Sequence, residues 1–246
     1  MRFNIDLYKQ LVLYALLALA FSTVHAAGPH LSLVTAALPP LGSTPEQQGF
    51  LERIAHEAFA RIGYSVEVHS LPGERALLNV NSGIDDCDLY RAPGFESAYP
   101  NLIRVPEKIG VMEFMAYTKD VELKDPAWQS LEPYVVAYAN GWKIYERMVK
   151  AKEVTVVRSI NELFPLLNSG RADLVLLDRW QGLYVAHQQG IGVKLIEPPL
   201  AHVDMYMYLH KRHENISPKL VKVLREMKID GTYTKIYDSV FESLGK

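Results

Sequence analysis

The chain has 246 residues, 49% of them hydrophobic, with 26 basic and 28 acidic side chains and a formal net charge of −2. This content is enough for a substantial core, and the lack of a basic excess argues against nucleic acid as a partner. A single cysteine, Cys87, excludes an internal disulfide, so packing alone must hold the fold. No Cys-His motif accompanies it, and it reads as a small buried side chain.

The first 26 residues read as a signal peptide. Arg2 and Lys9 give a positive leader, residues 11–21 form an apolar stretch too short for a bilayer, and Val24-His25-Ala26 precedes a cut after Ala26. An uncleaved anchor is the alternative. No cysteine follows the apolar stretch, so a lipoprotein is not expected. The expected product is a soluble, exported protein in the periplasm.

A β-branched run at 31–35 predicts a strand, ended by Pro39-Pro40. Phe50, Leu51, Ile54, Ala55, Ala58 and Phe59 follow at helical spacing within 45–61, and Gly63 supplies a C-terminal glycine. Residues 64–69 alternate as a strand, 72–81 read as a helix with Pro near its start, and 86–90 as a short strand. Strand, helix, strand, helix, strand argues a parallel sheet. Further strands are expected at 102–105 and 111–119, and a loop carrying Trp128 at 126–133.

The pattern then restarts: strand 134–139, helix 141–151, strand 154–157. Ser159-Ile160-Asn161-Glu162 has the form of a capping box. A buried strand at 172–177 ends at Asp178, a helix covers 179–189, and 193–196 is the last strand of this unit. The tail offers a strand at 203–210, Ser217-Pro218 as a helix start, an apolar face of Leu220, Val221, Val223, Leu224 and Met227, a break at Gly231 and a helix at 233–241. It forms no complete unit, so it is expected to return to the first lobe. The chain then crosses between lobes near 117–122 and 198–206, which makes a hinge and a closing cleft.

Residues 171–178 carry the main functional signal. Open α/β sheets bind ligands beyond the carboxyl ends of their strands. Asp178 therefore stands where a small cationic group would be held. It is equally suited to cap the helix that follows.

Two stretches carry a family resemblance: Gly170-Arg171-Ala172-Asp173-Leu174 through Asp178, and Leu209-His210-Lys211-Arg212 through Met227-Lys228-Ile229-Asp230-Gly231-Thr232-Tyr233. In this order, behind a signal peptide, they resemble family 3 extracytoplasmic solute-binding proteins, the amino-acid-binding components of ABC importers, over most of residues 31–243. The resemblance implies the type II periplasmic binding protein fold. This is a two-lobed α/β architecture whose parallel or mixed sheets are flanked by helices and joined by two crossover strands. Lobe 1 would comprise 27–118 with 204–246, and lobe 2 would comprise 119–203.

The resemblance also implies site residues. Asp178 resembles the group that pairs with the ligand's α-ammonium. The family's carboxylate-gripping Arg lies just before a Phe-Ser-x-Pro-Tyr segment, but Glu96-Ser97-Ala98-Tyr99 occupies the matching region. Tyr99 replaces the Arg, and Arg91, ending the strand of Asp88-Leu89-Tyr90, is the natural substitute; a surface or interlobe salt bridge is its alternative. Asn140, Gly141 and Trp142 open a helix whose N–H groups can receive a carboxylate. Tyr90 could stack on a ligand, and Glu74 and Arg75 could face the cleft rim or form an exposed ion pair.

No His-Glu-x-x-His, Gly-x-Ser-x-Gly or P-loop motif occurs. His210 and His213 lack a third ligand, so neither metal nor cofactor is expected. The expectation is a monomeric, non-enzymatic binding protein for a small polar or zwitterionic solute, serving an ABC permease or a membrane sensor. Two alternatives stay open. One is a dehydratase-like enzyme on the same fold with Glu113 or Glu74 as its acid. The other is a degenerate domain that binds a protein partner.

Overall fold

The computed structural model describes residues 28–244; the expected signal peptide lies outside the described residues. The first unit is β1 (His30–Thr35), α1 (Phe50–Arg61), β2 (Ser65–Ser70), α2 (Gly73–Asn81) and β3 (Cys87–Arg91). β1 pairs in parallel with both β2 and β3. The predicted apolar face of α1 is buried from Phe50 to Phe59. Gly63 closes the helix at φ +83°, a backbone region that a Cβ makes costly.

β4 (Leu102–Arg104) and β5 (Gly110–Thr118) lead to the second unit: β6 (Val135–Ala139), α3 (Lys143–Met148), β7 (Glu153–Val157), α4 (Leu163–Asn168), β8 (Leu174–Asp178) and α5 (Arg179–Gln188). β6 pairs in parallel with β7 and β8. β9 (Lys194–His210), α6 (Ser217–Ile229) and α7 (Thr232–Phe241) complete the chain. The strand order is β2-β1-β3-β9-β5-β8-β6-β7, with β4 also paired to β9. The result is a two-lobed α/β fold.

Three elements differ from the sequence reading. The strands expected at 193–196 and 203–210 are one 17-residue strand, β9. Pro198 and Pro199 do not end it, because the register jumps from Phe114–Ala201 to Ala116–Ile196 and leaves 197–200 outside the ladder with β5. The helix expected at 141–151 spans only Lys143–Met148, since Val149 turns extended. The segment 126–133 contains a 3-10 turn at Trp128–Leu131.

β5 already pairs with β8 over Phe114–Tyr117, ahead of the expected crossing at 117–122. β9 pairs with β5 up to Met205 and with β3 and β4 from Tyr206 to His210. One core joins α1, β1 and β3 to the buried faces of α6 and α7, through Leu220, Leu224, Met227 and Phe241. Two further cores cover the faces of the β5-β8-β6 sheet. Each fully buried Leu or Phe contributes roughly 2–3 kcal/mol.

Candidate functional site

A cleft of 540 Å³ opens at the carboxyl ends of β1, β3 and β6 and at the first turn of α5. This is where open α/β sheets place ligands. Tyr90 and Arg91 line it from β3; Asn140, Gly141 and Trp142 from the turn after β6; and Gln181 from α5. Phe95, Met112, Phe114, Ile144 and Met205 make much of its remaining wall apolar.

Arg91 reaches the cleft but is largely committed within the fold. Its Nε donates to Asp88 Oδ2 at 2.7 Å and its Nη2 to the Gly73 carbonyl at 2.7 Å. Asp88 is fully buried; burial pushes its carboxyl up and the Arg91 charge opposes that shift. The pair lies within β3 and is largely buried, so it is neither the surface nor the interlobe salt bridge weighed for Arg91.

Asp178 caps α5. Its Oδ1 accepts from the N–H groups of Trp180 at 3.1 Å and Gln181 at 3.2 Å. The residue is 1% exposed and does not line the cleft. Burial pushes its carboxyl up to about 6, against the lowering effect of the backbone donors. Its second oxygen, Oδ2, makes no hydrogen bond of good geometry, although the Glu113 N–H also lies close enough to the carboxyl to favour its charged form.

Gln181 was not singled out from sequence. It is 3% exposed, borders the cleft, and its Oε1 is also without a partner, as is the hydroxyl of Tyr145. Its only sequence signal was its place three residues after a strand-ending Asp, where an N-cap aims the first helical turn at the sheet's ligand edge. Tyr145 stacks under Trp142 at 5.5 Å and meets Phe114 edge-on at 5.8 Å, so Trp142 is held on an aromatic base. Gly141 sits at φ +90°, which lets the chain turn tightly from β6 into α3. The N–H of Asn140 is bonded to the Val157 carbonyl at 2.8 Å and is not free for a ligand.

The remaining candidates fall elsewhere. Tyr99 donates to Glu74 at 2.7 Å, and neither lines the cleft. Arg75 is exposed and also lies off it. Glu113 is ion-paired with Arg179 at 2.6 Å and faces a second cavity of 780 Å³, on whose wall Tyr90 is shared with the cleft. Tyr90 fits between the two because Gly110 has no side chain: a Cβ there would come within 3.2 Å of the ring.

No protein-family profile matches the chain. An uncharacterised protein of Shewanella oneidensis is 27% identical over 195 residues, covering 75% of this chain and 73% of that protein. Among solved structures, an ancestral arginine-binding protein bound to arginine superposes with a TM-score of 0.67 at 22% identity, covering 87% of this chain and 99% of the other. A histidine kinase sensor domain with similarity to periplasmic binding proteins gives 0.67 at 12% identity, covering 87% and 97%. The chain thus has the two-lobed fold of type II periplasmic binding proteins, shared by amino-acid-binding proteins.

Proposed function

We propose that the protein is an exported solute-binding protein that captures one small polar or amino-acid-like molecule in the 540 Å³ cleft. The observation that carries this reading is the composition of the cleft wall. Tyr90 and Arg91, from the sheet of β1–β3, face Trp142 and Gln181, from the sheet of β6–β8. A ligand touching both walls would favour the arrangement in which they are close. In this reading the lobes divide where β9 passes from one sheet to the other, its pairing changing from β5 at Met205 to β3 at Tyr206. Delivery to an ABC permease and reporting to a membrane sensor both fit the fold, since an arginine-binding protein and a kinase sensor domain share it.

A thermal-shift screen of the mature protein against amino acids, amines, organic acids and sugars tests this. The expected result is a saturable rise in melting temperature with an unaltered ligand recovered afterwards. Conversion of the ligand into product would move the reading to the dehydratase-like alternative. The absence of any shift across the panel would overturn solute binding.

A further inference from the structure

We propose that the second cavity, of 780 Å³, is a binding site in its own right, for an uncharged flat aromatic molecule that carries a hydroxyl or N–H donor. Its volume falls in the range that takes small organic ligands. Of its lining residues only Tyr90 also lines the cleft, so the site does not depend on what the cleft holds.

Three features of the wall point to that chemistry. The first is a cage of rings drawn from both halves of the molecule. Tyr233, Tyr237 and Phe241 recur every four residues along one face of α7. Phe50, at the start of α1, meets Tyr233 and Tyr237 edge-on at 5.5 and 6.0 Å, and Trp180 of α5 meets Tyr237 edge-on at 5.6 Å. Phe50 and Phe241 are buried, whereas Tyr233, Tyr237 and Trp180 are only half-buried, which leaves ring surface on the cavity wall. Aromatic pairs favour offset or edge-to-face contact, and a flat aromatic guest can make such contacts with several of these rings at once.

The second is a polar group without a partner. Tyr90 reaches the cavity through the gap at Gly110, where its hydroxyl lies 3.4 Å from the place of an added Cβ. Among the described residues that hydroxyl makes no hydrogen bond, and it can both donate and accept. Glu113 lines the same cavity. Its carboxylate accepts from Nε and Nη2 of Arg179 and keeps lone pairs for a further donor.

The third is charge. Lys108 and Lys228 on the wall are offset by Asp204 and Glu113. Each is ion-paired: Lys108 with Asp204 at 2.9 Å, Lys228 with Glu107 at 2.5 Å, and Glu113 with Arg179 at 2.6 Å. With two charges of each sign on its wall, the cavity favours neither an anion nor a cation.

The tryptophans make the test specific, because Trp180 lines this cavity, Trp142 lines the cleft and Trp128 lines neither. Their indole N–H signals in the proton–nitrogen spectrum of the mature protein, assigned with Trp180→Phe and Trp142→Phe, report which cavity fills. Indole or 2-naphthol is expected to shift the Trp180 signal saturably and to leave that of Trp142 in place. The saturated counterpart 2-decalol should bind about tenfold more weakly than 2-naphthol, and 1-methylindole about fivefold more weakly than indole. Indole-3-acetate and tryptamine should bind no tighter than indole. Val111→Trp, which fills the cavity from β5, and Tyr237→Leu should each weaken indole about fivefold or more, with circular dichroism showing both variants folded. A Trp180 signal that neither probe moves up to the limit of its solubility overturns the site, as does a shift of Trp142 alone or equal binding of 2-decalol. Equal binding of 1-methylindole overturns the donor, and tighter binding of either charged analogue overturns the neutral class. Each of these outcomes leaves the solute reading of the cleft untouched.

Discussion

The indole of Trp180 lies 4.5 Å, centroid to centroid, from the ring of Phe241, with 31° between their planes. It also meets Tyr237 edge-on at 5.6 Å. Trp180 is the second residue of α5, whose later residues Val185 and Ala186 belong to the core of the second sheet, whereas Phe241 belongs to the core of the first. One ring therefore ties the two halves together, beside the Gln181 that borders the cleft. Trp180→Ala is expected to lower stability by about 2–3 kcal/mol, below the usual figure for a fully buried Trp because this one is partly exposed. It should also raise the radius of gyration of the unliganded protein. Urea denaturation and small-angle scattering measure the two effects, and unchanged values for both would show that this contact does not bind the halves.

Asp178 should leave a pH signature. Its carboxyl titrates at about 6 in the folded protein, above the ordinary 3.8. The folded state therefore holds this proton more tightly than the unfolded chain does. Stability attributable to the group falls as pH rises from about 4 to about 6, and the loss is complete above that window. Asp178→Asn keeps the capping oxygen and removes the titration. The stability of the parent relative to this variant should drop by about 2 kcal/mol between pH 4 and pH 7. Urea denaturation across that range checks it; a difference that stays flat with pH contradicts it.

Arg91→Ala should damage the fold before it damages binding. It would leave Asp88 buried and unpaired, and breaking a buried pair of this kind costs about 3–5 kcal/mol. The double variant Arg91→Ala, Asp88→Asn is expected to recover much of the loss. A single variant as stable as the parent would mean that the guanidinium contributes nothing to the fold.

Gly182 is a packing position. A Cβ there would lie 2.3 Å from the hydroxyl and ring of Tyr117, whose own hydroxyl donates to the carbonyls of Asp178 at 3.0 Å and Arg179 at 2.6 Å. Gly182→Ala should cost about 1–3 kcal/mol by displacing that ring. Removing the obstacle with Tyr117→Ala should make the second substitution close to neutral, and a double-mutant cycle by denaturation tests the coupling.

Features set by neighbours in sequence were legible. Ser159 and Glu162 form the capping box, with the Glu162 carboxylate accepting from the Ser159 N–H at 2.9 Å. The apolar spacing of α1 and the glycine after it gave that helix and its end. Features set at long range were not. Asp88 and Arg91 are three apart, which in a regular strand puts them on opposite faces; an irregular register between them lets their side chains meet. The role of Trp180 was not legible, because its ring partners Tyr237 and Phe241 lie some sixty positions later. The joining of the strands expected at 193–196 and 203–210 was not legible either, since it depends on the jump in register opposite β5.

β9 has a consequence of its own. One 17-residue stretch of backbone runs through the middle of the molecule and lends its edges to β3, β4 and β5. Melting either half would strip the other of an interior neighbour, leaving raw amides facing water. A half-melted molecule is thus a poor resting place, and a calorimeter should record a single endotherm on heating rather than two.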